Sequence, residues 1–171
     1  MKHVFLIIDC SGSIVADDTI KVGQVNDLSI DLIRACQSAL AQIDIRVICY
    51  ANGAKLYWQS SSNSSFYEIP ESRFGGRSNL SKAYNLIQDS IKKESMKNSD
   101  CVLVLVSDGE ATDNYKKALN ELDPRNEITR IALSIGNSTS ATEKHSSGET
   151  FFFKNGVKDR DAFIAKIVDC I

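Results

Sequence analysis

No stretch of this chain is apolar for long enough to leave water. The longest run near the start, Val4-Phe5-Leu6-Ile7-Ile8, is shorter than a secretory signal's core, and nothing approaches the roughly 20 residues of a membrane span. The cytoplasm is the expected compartment. An excess of one charge is also missing: the net charge of −2 gives no general attraction to nucleic acid or to an anionic membrane. Paired cysteines are absent, because Cys10, Cys36, Cys49, Cys101 and Cys170 are odd in number and scattered, which suggests neither a disulfide framework nor a zinc site. They read as reduced core thiols. Histidine is scarce, and neither His3 nor His145 shares a motif with Cys10, so thiol catalysis lacks its base. There is no internal repeat, no Gly-x-Ser-x-Gly elbow, and no Gly-Lys-Ser/Thr ending after Gly75-Gly76 that would make a phosphate cradle. Whatever the chain does must reside in a local site.

What is present is the composition of an ordinary globular protein, 43% hydrophobic and 25% charged over 171 residues, which favours a single domain over 1–171. His3 to Ile8 and Cys101 to Val106 are nearly continuous apolar runs, as in strands covered on both faces. Ile45 to Tyr50 and Ala54 to Gln59 are strand-like segments joined through Asn52-Gly53, a hairpin signal that adds an antiparallel edge. Ile128 to Ile135 and Thr150 to Phe153 complete the strands. Between them, one long amphipathic helix is expected, capped by Asp17 and Asp18 and carrying Val25, Leu28, Leu32, Cys36, Ala39, Leu40 and Ile43 on one face. Leu80 to Ile91, Tyr115 to Leu122 and Phe163 to Ile171 give three further helical stripes. Strands alternating with helices indicate an α/β protein, a doubly wound, mostly parallel sheet with helices on both faces.

The two buried strands end alike. The first stops at Asp9-Cys10-Ser11-Gly12-Ser13 and the other at Ser107-Asp108-Gly109-Glu110. If the winding reverses between them, Asp9 and Asp108 meet at the switch point, where open α/β sheets keep their ligands. A third approach comes from Gly75-Gly76-Arg77-Ser78-Asn79-Leu80, where capping of the following helix would by itself account for Ser78. Asp9, Ser11, Ser13, Ser78 and Asp108 together offer hard oxygens suited to magnesium first, with manganese or calcium as the other hard cations. The plainer alternative is a polar turn that caps a helix.

These residues resemble the von Willebrand factor A domains that carry a metal-ion-dependent adhesion site, whose pattern is Asp-x-Ser-x-Ser, then a threonine, then an aspartate. Asp9, Ser11 and Ser13 match the first element and Asp108 the last, while Ser78 stands where threonine is usual. Serine keeps the hydroxyl but loses the methyl that stiffens the rotamer. The resemblance implies a six-stranded Rossmann-like sheet in the order 3-2-1-4-5-6, and direct metal ligation by Asp9, Ser11 and Ser13. It further implies that Ser78 and Asp108 ligate directly or through water, leaving an open coordination position for a partner protein's Glu or Asp. Within the family the chain looks most like small stand-alone bacterial domains associated with tellurium resistance and chemical stress. A binding module rather than an enzyme is expected. The rival is a magnesium-dependent phosphatase-like hydrolase with Asp9 as nucleophile, although Ser11 stands where such enzymes place a second acid. Arg77 and Glu110, beside the ligands, are candidates for setting partner choice.

Overall fold

The structure, a computed structural model, describes residues 1–16, 19–61, 65–136, 139–148, 150–153 and 157–171. Six strands, β1 (Lys2–Asp9), β2 (Ile43–Tyr50), β3 (Ala54–Gln59), β4 (Cys101–Ser107), β5 (Thr129–Ser134) and β6 (Thr150–Phe152), form one sheet in the order β3-β2-β1-β4-β5-β6. Among the described residues only the β2–β3 pair is antiparallel, with a register shift between Val47 and Ile48. The winding reverses at β1, which pairs in parallel with β2 on one side and β4 on the other. The doubly wound α/β architecture expected from the alternating pattern, and the strand order implied by the resemblance, are the observed ones.

Two apolar cores lie on the two faces of this sheet. On one, Val4, Leu6 and Ile8 of β1 pack with α1 (Gly12–Ala16), α2 (Thr19–Ala39) and α6 (Val157–Val168). On the other, Phe5, Ile7, Leu103 and Leu105 pack with α3 (Leu80–Glu94) and α4 (Tyr115–Leu122), and Ala141 of α5 (Ser140–His145) joins them. Alternate residues of β1 thus feed opposite cores, which explains a strand with no polar face.

One sequence expectation needs correction. The long helix expected after Asp17 and Asp18 is α2, but it ends at Ala39, so that Ile43 opens β2 and Ala39 is exposed. The period of three and four ran past the helix because Leu40 and Ile43 happen to fit it. The cap assigned to Asp17 and Asp18 lies outside the described residues. Phe66 to Ile69 carries no ladder, but Ile69 is buried and Asn26 clamps it, donating from Nδ2 to its carbonyl (3.1 Å) and accepting its N–H (2.8 Å). Tyr57 and Trp58 use their rings for packing, meeting Phe66 edge-on at 6.1 and 5.7 Å.

The amino ends of the strands carry an ionic network. Asp44 accepts from Arg46 (2.8 Å), Gln59 (3.1 Å) and His3 (3.1 Å), and Arg46 also pairs with Glu94. Lys2 Nζ donates to the carbonyl of Cys170 (3.4 Å), so both ends of the described chain meet at this pole.

Candidate metal centre

The opposite pole, at the carboxyl ends of the strands, gathers the oxygens. Asp9 is the last residue of β1 and is in register with Tyr50, the last of β2, while Ile8 pairs with Val106 and so brings Ser107 and Asp108 alongside. Backbone bonds then fasten the three loops to one another. Cys10 N–H donates to Tyr50 O (2.8 Å), Gly75 N–H to Cys10 O (2.8 Å), Gly12 N–H to Gly76 O (3.0 Å) and Thr112 N–H to Ser78 O (2.8 Å). Asn52 at the hairpin tip takes the N–H of Arg77 on its Oδ1 (2.9 Å). Gly76, at φ +83°, makes the turn that this fastening requires.

Asp9 is fully buried and is the hub. Its Oδ1 accepts the Ser11 N–H at 2.9 Å. Its Oδ2 accepts three hydroxyls, from Ser107 (2.7 Å), Tyr50 (2.9 Å) and Ser78 (3.1 Å). Ser11 Oγ lies 3.0 Å from Ser13 Oγ. Asp108 is almost as buried, and its Oδ1 accepts the Glu110 N–H at 3.3 Å. Of the five residues expected from the sequence, Asp9, Ser11, Ser13 and Ser78 therefore stand in one hydrogen-bonded chain. Asp108 stands beside it without a hydrogen bond to the other four.

Two participants were missed. Tyr50 read as the end of an apolar strand, and only the β1–β2 register brings its hydroxyl to Asp9. Ser107 read as strand context for Asp108, although a hydroxyl one residue before a site acid on a buried strand was a usable signal. The capping role considered for Ser78 does not hold: its hydroxyl goes to Asp9, and the N-terminus of α3 is satisfied by Asp113, whose Oδ2 accepts the Ser81 N–H at 2.9 Å.

Burial pushes the Asp9 carboxyl above the usual carboxylate range. The hydrogen bonds from Ser11 and Ser107 pull it back, and the charge of Asp108 pushes it up again. Burial first, and then the Asp9 charge, hold the Tyr50 phenol well above its ordinary value, so it remains a donor. Among the described residues no Lys, Arg or His side chain pairs with either acid. Two buried carboxylates without a counter-charge are costly, and a bound cation is the ordinary way to offset them.

The donors fit such an ion. Serine hydroxyls that give their protons to Asp9 or to each other keep lone pairs free, and every donor is oxygen, which suits magnesium, manganese or calcium. Among the described residues no group of three or more His, Cys, Asp or Glu side chains offers a competing site of the usual kind. Asp108 owes its closeness to Gly136, where an added Cβ would fall 2.7 Å from the Asp108 Cβ and 2.9 Å from its carbonyl oxygen.

An oxygen-lined crevice at the topological switch point is where open α/β domains keep their ligands. The chain belongs to the von Willebrand factor type A domain family, whose sequence profile matches residues 3–159. No curated protein matches it in sequence. Among solved structures it is similar to proximal thread matrix protein 1 of the mussel byssus, with TM-score 0.77 and 15% identity over 99% of this chain and 48% of that one. It is also similar to BatB of Bacteroides thetaiotaomicron, with TM-score 0.70 and 15% identity over 99% and 98% of the two chains. A manganese-loaded TRAP protein of Plasmodium vivax shares the fold with TM-score 0.59 and 13% identity over 100% of this chain and 72% of that one. A further structure of the mussel protein has zinc in its MIDAS motif, with TM-score 0.69 and 13% identity over 98% and 46% of the two chains. The chain thus spans about half the length of the mussel protein. No helix among the described residues is long and apolar enough to cross a membrane.

Proposed function

We propose that this domain is a divalent-metal-dependent protein-binding module. Asp9, Ser11, Ser13, Ser78 and Asp108 would hold the cation, magnesium in the first instance, with manganese or calcium as alternatives. The observation that carries the reading is a pair of buried carboxylates with no cationic partner, ringed by hydroxyls. A cation held there supplies an electrophilic coordination position, open to a Glu or Asp from a partner protein. The rest is work done by the chain itself. Tyr50 and Ser107 fix the Asp9 carboxyl, and the Ser11 N–H orients its other oxygen. The Gly75–Gly76 turn is bonded to the first loop and leads to Ser78. Neighbours of this fold that carry manganese or zinc support the reading.

A hydrolase using Asp9 as nucleophile is less well supported. Three hydroxyls on one of its oxygens and an N–H on the other draw off the electron density an attacking carboxylate needs. The proposed setting is a cytoplasmic one in a bacterial chemical-stress or tellurium-resistance system, which rests on the sequence resemblance.

Titration calorimetry and thermal melting with Mg²⁺ and Mn²⁺ test the module. At about a hundredfold excess over Kd the wild type should gain about 2.7 kcal/mol, a rise of roughly 5–10 °C for a chain of this size, and Asp9→Ala should gain nothing. Equal indifference of both proteins to the ions would refute the site. Metal-dependent hydrolysis of an aryl phosphate, lost in Asp9→Ala, would favour the hydrolase.

A further inference from the structure

Beside the metal centre lies a second feature, a cleft of about 550 Å³ between the β2–β3 hairpin and the segment around Arg73. Cys10 and Tyr50 line it, and these are the residue that follows Asp9 and the residue that bonds to it. Its apolar walls are Cys10, Cys49 and Tyr57, which share one face of the sheet. Its rim is basic. Lys55 and Arg73 line the cleft and are exposed, and exposed Arg77 precedes Ser78; among the described residues none of the three has an ion-pair partner. Glu110 lies two residues from Asp108, and Glu68 and Glu71 are exposed acids on the segment leading to Arg73.

A chain with a net charge of −2 therefore keeps three unpaired cations around one pole. An apolar trough bounded by fixed positive charge fits an acidic, amphipathic ligand better than an acid alone. One residue of extended chain spans about 3.3 Å. A segment whose carboxylate reaches the metal centre places its next side chains at the mouth of a cleft that shares Cys10 and Tyr50 with that centre.

We infer that the partner is an extended acidic segment of another protein, with an apolar side chain seated between Cys10, Cys49 and Tyr57 and a second acid held by Lys55 and Arg73. This rests on the metal-dependent reading above and adds what recognises the partner beyond its metal-bound acid. The cleft supplies specificity, because a lone carboxylate is common to every acidic surface.

The test is a phage-displayed library of random 12-residue peptides, selected on the magnesium-loaded protein and eluted with EDTA. Enriched sequences should carry an apolar residue one or two positions from an acid, with a further acid nearby. A selected peptide should bind Lys55→Glu/Arg73→Glu and Tyr57→Ala at least tenfold more weakly than wild type, while calorimetry shows unchanged Mg²⁺ binding and melting shows intact folding for both variants. Enrichment of acids without an apolar neighbour, or equal peptide binding by variants and wild type, overturns the inference and leaves the metal site standing. So does an absence of EDTA-eluted peptides from a protein that binds Mg²⁺. Metal-dependent dimerisation in light scattering would assign the cleft to a second copy and overturn it too. Failure of the wild type to bind Mg²⁺ removes the metal site itself, a result separate from all of these.

Discussion

Asp9 and His145 are both fully buried ionisable side chains, and the protein treats them differently. His145 is kept neutral: Tyr84 donates its hydroxyl proton to Nδ1 (2.7 Å), the Nε2–H faces the Leu103 carbonyl (3.4 Å), and the two rings stack. Burial drives the imidazole down to about 3, and the charge of Arg130 adds to the effect. Its folded value lies below its unfolded value of 6.5. The unfolded chain therefore takes up a proton that the folded chain refuses, and stability falls as pH drops below that value. The slope from this residue is about 1.4 kcal/mol per pH unit. Urea denaturation should show a loss of about 2 kcal/mol from this residue between pH 6.5 and 5, and His145→Gln should flatten that interval. Asp9 has the opposite sign. Its folded value is raised, so in the metal-free protein the stabilising protonated form is present at low pH and is lost as pH rises through that value. A cation at neutral pH would relieve the burial of the charge that results.

The elements show which parts of the site spacing could reveal. Asp9, Ser11 and Ser13 are close in sequence and sit on one turn, so their pattern survives in the linear chain. Ser78 was legible only as one hydroxyl after two glycines, because its partner Asp9 is 69 residues away. The hydroxyl of Tyr50 was not legible, since register rather than local pattern delivers it. The six-residue α5 was missed because Ser140-Ala141-Thr142-Glu143-Lys144-His145 is too short to establish a helical period, and tertiary bonds such as Ala141 N–H to Gly109 O (3.1 Å) hold it. Gly136, just after β5, acts on the centre without contributing an oxygen to it. Gly136→Ala should force Asp108 away, costing about 1–3 kcal/mol of stability by overpacking and roughly tenfold in Mg²⁺ affinity through displacement of a ligand's support. Gly23→Ala is the control: exposed in α2 with nothing within 4 Å of the added methyl, it should raise stability by roughly 0.5–1 kcal/mol and leave calorimetric Mg²⁺ binding unchanged.

For the molecule as a whole, the continuous apolar runs defined the central strands and Asn52-Gly53 the reversed edge, because burial on two faces and a two-residue turn both leave local signatures. The order of strands came through resemblance, not from pattern. β1 and β4 feed both cores and pair on both sides, whereas β6 is a three-residue edge. Native-state hydrogen exchange should find the slowest amides in β1 and β4, opening only with global unfolding, and amides of β6 exchanging at least about tenfold faster through local opening. Exchange as slow in β6 as in β1 would contradict that ranking.

The bond from Lys2 Nζ to the Cys170 carbonyl has a mechanical consequence. With both ends of the described chain side by side at the pole away from Asp9, a tether through either end leaves the oxygen-rich crevice facing outward. Tension carried from one end to the other would be borne by the contacts joining β1 to the closing segment, and the three fastened loops would stay outside the line of load.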